Sequence, residues 1–443
     1  MRPMIAPAIG LGVGALVAFS AAVTAQAAPP TDWSNIPTAT VKLFYPGQGG
    51  DEWLRSSAHK RAYKKVLAGD SCVSCHEGEE QELGEALVVE GRLEPTPIEG
   101  KNPTVDLQVQ VAYDTENAYF RFRWKTQMDR AGQMHNYLRF DGEKWEIYGG
   151  PRSSGKVRSG AQPPLYEDRL TMMIDDGSVP MFAEQGCWLT CHTGMRDMTG
   201  EPTKEEIAAN PILGAGGLKK KDIRKYLPLS RTDDISTWDA TKLAEEIAAL
   251  KAEGQFVDLM QWRAARSAPV GMADDGYVLE YRLFDAGKKP FSWNLDKKTM
   301  TPRFMFDAGK VGMKAITVAD IGDPTKPYAI IKEENAVPYD PDAGWKEGDV
   351  LPGRLLTRTG ASGSAADNSE VTSEWKDGLW TVVWARPLDT GHPEDDKAIE
   401  DGKAYSFGFA VHDDNVTTRF HFVGFPLSIG FGTEGDIQAT RLP

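Results

Sequence analysis

Cysteine is scarce, four residues in a chain of 443, too few to staple a domain together by disulfides. Positive charge is also in deficit. There are 50 Lys and Arg against 64 Asp and Glu, a formal net charge of −14. Such a surface repels phosphate backbones, so nucleic acid is excluded as the expected partner. Beyond the first two dozen residues no run of 18 uninterrupted apolar residues occurs, so no later segment reads as a membrane span. Internal repeats, a phosphate-binding glycine loop and a hydrolase triad are missing as well. What remains is an ordinary globular composition, 41% hydrophobic and 26% charged, which excludes a wholly disordered or fibrous chain. The length suggests two domains.

The chain opens with Arg2, an apolar Gly/Ala-rich run from Ile9 to Val23, and the small-x-small triplet Ala25-Gln26-Ala27. A basic start, a short apolar stretch and this triplet read as a secretory signal peptide over residues 1–27. A retained membrane anchor is the competing reading. The expectation is export to the periplasm, with no membrane span after cleavage.

The rest divides near Gly100, giving an N-terminal segment, 28–100, and a larger unit, 101–443. Residues 51–68 are predicted to form a helix stopped by Gly69, with His59, Tyr63 and Val66 on one face. Past Gly100 the period becomes two. Val105, Leu107, Val109 and Val111 alternate with polar residues, and Phe120, Phe122 and Trp124 complete a hairpin after Asp114–Asn117. Further strands are predicted at 277–284, 380–385, 404–411 and 419–423, and Asp377-Gly378 marks a two-residue hairpin turn. The fold class is therefore mainly β, an antiparallel β-sandwich. It carries a helical insertion in which Thr237 caps, Leu243, Ile247 and Leu250 share a face, and Gly254 stops. The Gly/Ser/Ala-rich stretch 359–368 reads as a flexible loop. The twelve tryptophans read as core and pocket walls, and Asp-rich loops such as Tyr339–Asp342 as turns, since they lack EF-hand spacing.

All four cysteines lie in two motifs. Cys72-Val73-Ser74-Cys75-His76 is the C-x-x-C-H signature of covalent haem attachment. Two thiols add across the haem vinyl groups and the adjacent imidazole coordinates the iron. Zinc and a disulfide compete, but a structural zinc site needs four ligands and a disulfide leaves His76 unexplained. Cys187-Trp188-Leu189-Thr190-Cys191-His192 repeats the pattern with one extra residue between the thiols. Together they predict two covalently bound haem c groups, with His76 and His192 as proximal ligands, on an N-terminal domain that is small, helical and cytochrome c-like. His59 is the candidate distal ligand for the first haem; a solvated histidine is the alternative. For the second haem His135, His392, His412, His421 and methionine all remain open. Ser406, Gly408 and Ala410 share a strand face with His412 and leave room for a flat macrocycle.

From about residue 100 onward, roughly three quarters of the chain, the sequence resembles the haem-binding domain of ethylbenzene dehydrogenase-related proteins, also called the cytochrome c-552/dimethyl sulfoxide reductase-like haem-binding domain. The carriers are Ala112-Tyr113-Asp114 with Tyr119–Trp124, Glu167-Asp168-Arg169, Gly186–His192, Phe409–Asp414 and Arg419-Phe420-His421, with Asp258–Arg263 as a further element. The resemblance implies a β-sandwich around one haem, which the family's gamma subunits of molybdenum enzymes hold as b-type through Met and Lys. This chain departs from that pattern, with the Cys-rich motif and His192 near the expected Met and His421 where the Lys falls. The match implies His421 as distal ligand, with His412 as the alternative.

The function expected is a periplasmic dihaem cytochrome that passes single electrons in a respiratory or anaerobic chain, between redox protein partners and at low potential. It is more a carrier than an enzyme. Alternatives are an electron-transfer subunit of a larger oxidoreductase, a haem enzyme with one open coordination site, and a carbohydrate-binding β-sandwich.

Overall fold

The computed structural model describes residues 28–233 and 237–443; the signal-peptide reading of 1–27 lies outside the described residues. No helix among the described residues is long and apolar enough to cross a membrane. Thirteen strands form the main sheet: β1 (Ala39–Phe44), β2 (Thr104–Tyr113), β3 (Asn117–Lys125), β4 (Arg169–Asp175), β5 (Val257–Arg263), β6 (Gly276–Val278), β7 (Arg282–Phe284), β8 (Glu370–Lys376), β9 (Leu379–Pro387), β10 (Lys403–His412), β11 (Phe422–Val423), β12 (Leu427–Phe431) and β13 (Ile437–Arg441).

The protein is mainly β, as the alternating periods require, but two separate facing sheets are not what the pairing shows. The order β8-β9-β3-β2-β1-β11-β10-β4-β5-β6-β7 is one continuous ladder. Strand β12 pairs with β10, and β13 joins β12 to β2 through parallel pairing. Six strands, β2-β1-β11-β10-β12-β13, thus close into a ring and leave no free edge along that circuit. Strand β1 contributes from within 28–100, pairing with β2 from Ala39 opposite Val109 to Phe44 opposite Thr104.

Local signals explain the hairpins. β8 and β9 join at Lys376 opposite Leu379; Asp377 and Gly378 take φ of 52° and 79°, the left-handed pair that a tight hairpin needs. The inward residues of β2, β3, β4, β5, β9 and β10 build the main core. At its centre Trp262 meets Trp124 edge-on at 5.8 Å and Trp380 at 4.9 Å. Trp262→Ala is expected to cost about 3–5 kcal/mol, read as a lower midpoint in urea unfolding with an unchanged slope.

Three local expectations are corrected. Residues 51–68 are not one helix: α1 (Asp51–Leu54), a 3-10 segment Ser57–Ala62 and α2 (Tyr63–Leu67) succeed one another. Ser56 accepts the Ala58 N–H in its side chain, and Lys60 sits at φ 50°, so the helical register breaks at His59. The insertion helix runs Ala244–Ala252 and does not begin at Thr237. Leu243 lies before it and is exposed, its N–H bonded to the Glu246 carboxylate. The second half of the 359–368 stretch is packed, with Ser364, Ala365 and Asn368 buried and Asn368 accepting the Trp384 indole N–H at 2.8 Å, while Thr359, Gly360, Ser362 and Gly363 are exposed. Polar side chains with fixed partners order it despite its linker-like composition.

Candidate functional site

Two helical pieces follow the kinked segment, α3 (Val73–His76) and α4 (Glu80–Val88). On the single turn of α3, Cys72, Cys75 and His76 stand at i, i+3 and i+4, so all three project to one side. That side is the wall of a cavity of about 700 Å³, closed by Trp53, His59, Val66, Leu87, Trp188 and Phe425. Its volume lies within the range of about 300–1,000 Å³ typical of ligand and cofactor sites.

The kink at His59 turns its ring into this cavity. The His59 and His76 ring centroids are 6.2 Å apart and their planes 17° from parallel. Two metal–imidazole bonds of about 2 Å each take up roughly 4 Å of such a separation, and the two half-rings account for the remainder. Both rings use Nδ1 for anchoring: His76 Nδ1 to the Glu79 carboxylate at 2.8 Å, His59 Nδ1 to the Leu54 carbonyl at 3.1 Å. An anchored Nδ1 fixes the tautomer that offers Nε2 to a metal. Burial holds His59 below the ordinary imidazole range, which keeps the ring neutral and able to coordinate. Burial likewise pushes the Cys72 thiol up to about 11. Glu79 and Trp53 are not singled out by the sequence; the one signal for Glu79 is its place three residues after His76.

A second cavity lies against the outward face of β4, β5 and β10. Alternation along those strands puts Met173, Gln261, Arg263, Ala410 and His412 on this face and sends Met172, Met260, Trp262 and Phe409 into the core. Cys187, Cys191 and His421 complete its wall. Gly408 is required here, since a Cβ on it would stand 2.6 Å from the Cys187 sulfur. His412 and His421 stack at 4.5 Å and 14°. Burial pushes His421 down to about 3, and His412 is also held well below the usual range by burial and by the neighbouring His421.

His192 is not on this wall. Its ring is fully buried, stacked on Tyr226 at 3.7 Å, with Nε2 2.8 Å from the Tyr226 carbonyl. The expected His192–His421 pair is therefore not brought together in this conformation, whereas His412 and His421 are. His135 packs on Tyr166, and His392 is near Asp367, so neither joins the two cavities. The cavity as packed measures about 130 Å³, below what a macrocycle needs. The donor types suit a covalently held haem; the present packing does not admit one.

The two cavities share a wall. Pro46 and Gly49 line both, and in the second motif Cys187 lines one cavity while the next residue, Trp188, lines the other. None of the four cysteines is paired in a disulfide. Among the described residues no three His and Cys side chains lie within 4.8 Å of one another.

A buried clasp holds residues 94–96 to the loop before β11. Arg419 bonds the Glu94 carboxylate and the Thr96 hydroxyl, and Tyr45 donates to Glu94 at 2.5 Å. Removing one partner of such a pair leaves a buried charge. Glu94→Ala is accordingly expected to lose about 3–5 kcal/mol, seen as a lowered thermal midpoint, with Glu94→Gln closer to wild type.

The fold and the site together are a β-barrel flanked by two cysteine-lined cavities, each with a histidine pair on its wall. A family model described as ethylbenzene dehydrogenase matches residues 31–423, and the chain belongs to that family. It is similar to cytochrome c-552 of Stutzerimonas stutzeri, with 26% identity over 430 residues, 97% of each chain. It is also similar to cytochrome c-551 of Rhodocyclus tenuis, at 26% over 174 residues, 39% of this chain and 60% of that one.

Proposed function

We propose that this protein is a c-type cytochrome of the periplasm that carries single electrons between redox protein partners. The observation that carries this reading is the His59–His76 pair, 6.2 Å apart across a cavity of about 700 Å³ whose wall bears Cys72 and Cys75. In it Cys72 and Cys75 attach a haem, His76 is the proximal ligand and His59 the distal one. A haem held there supplies a one-electron couple, and imidazole on both sides favours a lower potential than imidazole with thioether. With His59 and His76 both engaged, no coordination position remains for a substrate, which favours a carrier over an enzyme. The names of two similar proteins, cytochrome c-552 and cytochrome c-551, support the class.

The second motif is assigned a second covalent haem on its thiols, Cys187 and Cys191, with His192 as proximal and His421 as distal ligand and His412 as the alternative. That assignment requires the His192 ring to leave Tyr226 and the 130 Å³ cavity to open. The acidic surface favours weak, salt-sensitive association with a basic patch on a partner.

The family description favours a second reading, in which the chain is the electron-transfer subunit of a larger oxidoreductase. A redox titration of the purified protein with carbon monoxide added to the reduced form separates these cases. Reversible one-electron steps without a carbon monoxide complex support the carrier. Rapid carbon monoxide binding by wild type points to an open site, and a stoichiometric partner retained on purification points to the subunit.

A further inference from the structure

Five aspartates from separate stretches meet away from both cavities. Asp258 is the second residue of β5, on the face opposite the second cavity, Asp275 precedes β6, Asp285 follows β7, and Asp395 and Asp396 lie between β9 and β10. Each is at most 6% exposed. Carboxylate oxygens of Asp258, Asp275 and Asp396 lie within 4.8 Å of one another, and so do those of Asp285, Asp395 and Asp396. Asp396 belongs to both groups.

In three of these carboxylates one oxygen is anchored by the protein and the other is not. Asp258 Oδ2 accepts from Arg386 at 2.8 Å and from the Lys397 N–H at 3.1 Å. Asp395 Oδ2 accepts from the Ala286 N–H at 2.9 Å and the Ser364 hydroxyl at 3.0 Å, and Asp396 Oδ2 from Thr390 at 2.6 Å. Their Oδ1 atoms, and both oxygens of Asp285, are buried and accept no N–H or hydroxyl among the described residues; their close neighbours are other carboxyls, Asp275 beside Asp285 and Asp367 beside Asp396. Buried polar atoms left so are costly unless something else satisfies them. Anchored carboxylates with a free, converging oxygen are the arrangement that outer-shell partners give to metal ligands.

Charge points the same way. Arg386 is the guanidinium bonded to the cluster, while the Lys397 ammonium turns away to Asp176 at 2.8 Å. Five carboxylates against one bonded guanidinium leave negative charge that a bound cation would compensate. Oxygen-only donors select a hard cation. Calcium takes six to eight oxygens at about 2.3–2.6 Å, so two oxygens on one ion stand no more than about 5 Å apart. Magnesium keeps several waters, for which a cluster this buried is poorly suited.

We propose that this cluster binds a calcium ion centred on Asp396, tying β5, the β6–β7 hairpin and the β9–β10 connection together. The test uses the full haem-loaded protein, stripped with a chelator and titrated with calcium chloride by calorimetry and thermal melting. About one calcium per chain and a raised midpoint are expected, with at least tenfold weaker binding in Asp396→Asn and an unchanged visible spectrum. Absence of both binding heat and a midpoint shift on adding calcium overturns the proposal. Magnesium binding as tightly as calcium overturns the choice of ion. Should Asp396→Asn fail to fold, elemental analysis of wild type isolated from calcium-containing medium decides: about one calcium per chain supports the site, and none overturns it.

Discussion

Replacing Cys72 and Cys75 together by serine is expected to remove one covalent haem per chain and abolish electron uptake at the first cavity. The reason is positional. Both sulfurs project from one helical turn onto the wall of the 700 Å³ cavity, and no other cysteine lines it. Serine preserves size and polarity but forms no thioether under these conditions, so the pocket keeps its shape while attachment is lost. Denaturing electrophoresis with haem staining, beside a mass spectrum, reads the result. Retention of the full covalent haem content by the double variant would mean that the Cys72–His76 motif is not an attachment site.

The second large effect is expected from His59→Ala. Its ring faces His76 across 6.2 Å and is oriented through the Leu54 carbonyl, so its removal opens one axial position without touching either thiol. Carbon monoxide, which should not bind the reduced wild-type site, is then expected to bind it stoichiometrically. His59→Met tests the same role from the other side. Axial ligands set haem potentials over a span of about 0.8 V, and thioether in place of imidazole is expected to raise the first-site potential by on the order of 100 mV. Unchanged potentials and no carbon monoxide complex in either variant would remove His59 from the coordination sphere.

How far the sequence reached depends on the range of the interactions involved. The β2–β3 and β8–β9 hairpins were legible because alternation and turn chemistry are local: Asp377 and Gly378 carry their positive φ into the structure. The C-x-x-C-H spacing was legible for the same reason, since one helical turn suffices to align its donors. Closure of the ring was not. It depends on β1 pairing with β11 and on β13 pairing in parallel with β2, contacts between segments hundreds of residues apart. The break near Ser56 was hidden because helical spacing alone does not register a serine competing for the backbone. The place of His192 was hidden too, for its ring is held by Tyr226, 34 residues later. The aspartate cluster escaped because its members are spread from 258 to 396 and no spacing rule links them.

The small Asp-to-Ser hydrogen bonds at the β12–β13 junction, Ser428 to Asp436 at 2.7 Å, show how the parallel joint is secured. Strand β10, which β11 and β12 flank, carries His412, and His412, His421 and Cys187 line one cavity.

The most direct test of the central claim is peptide mapping of protein matured in a periplasm with haem-attachment machinery. The peptide containing Cys72, Cys75 and His76 is expected to carry a haem through both sulfurs, with a second haem on the peptide of Cys187 and Cys191 and an intact mass showing two haems per chain. Recovery of the Cys72–His76 peptide with two unmodified thiols, from protein otherwise folded, would contradict the reading of this chain as a c-type cytochrome at its best-formed site.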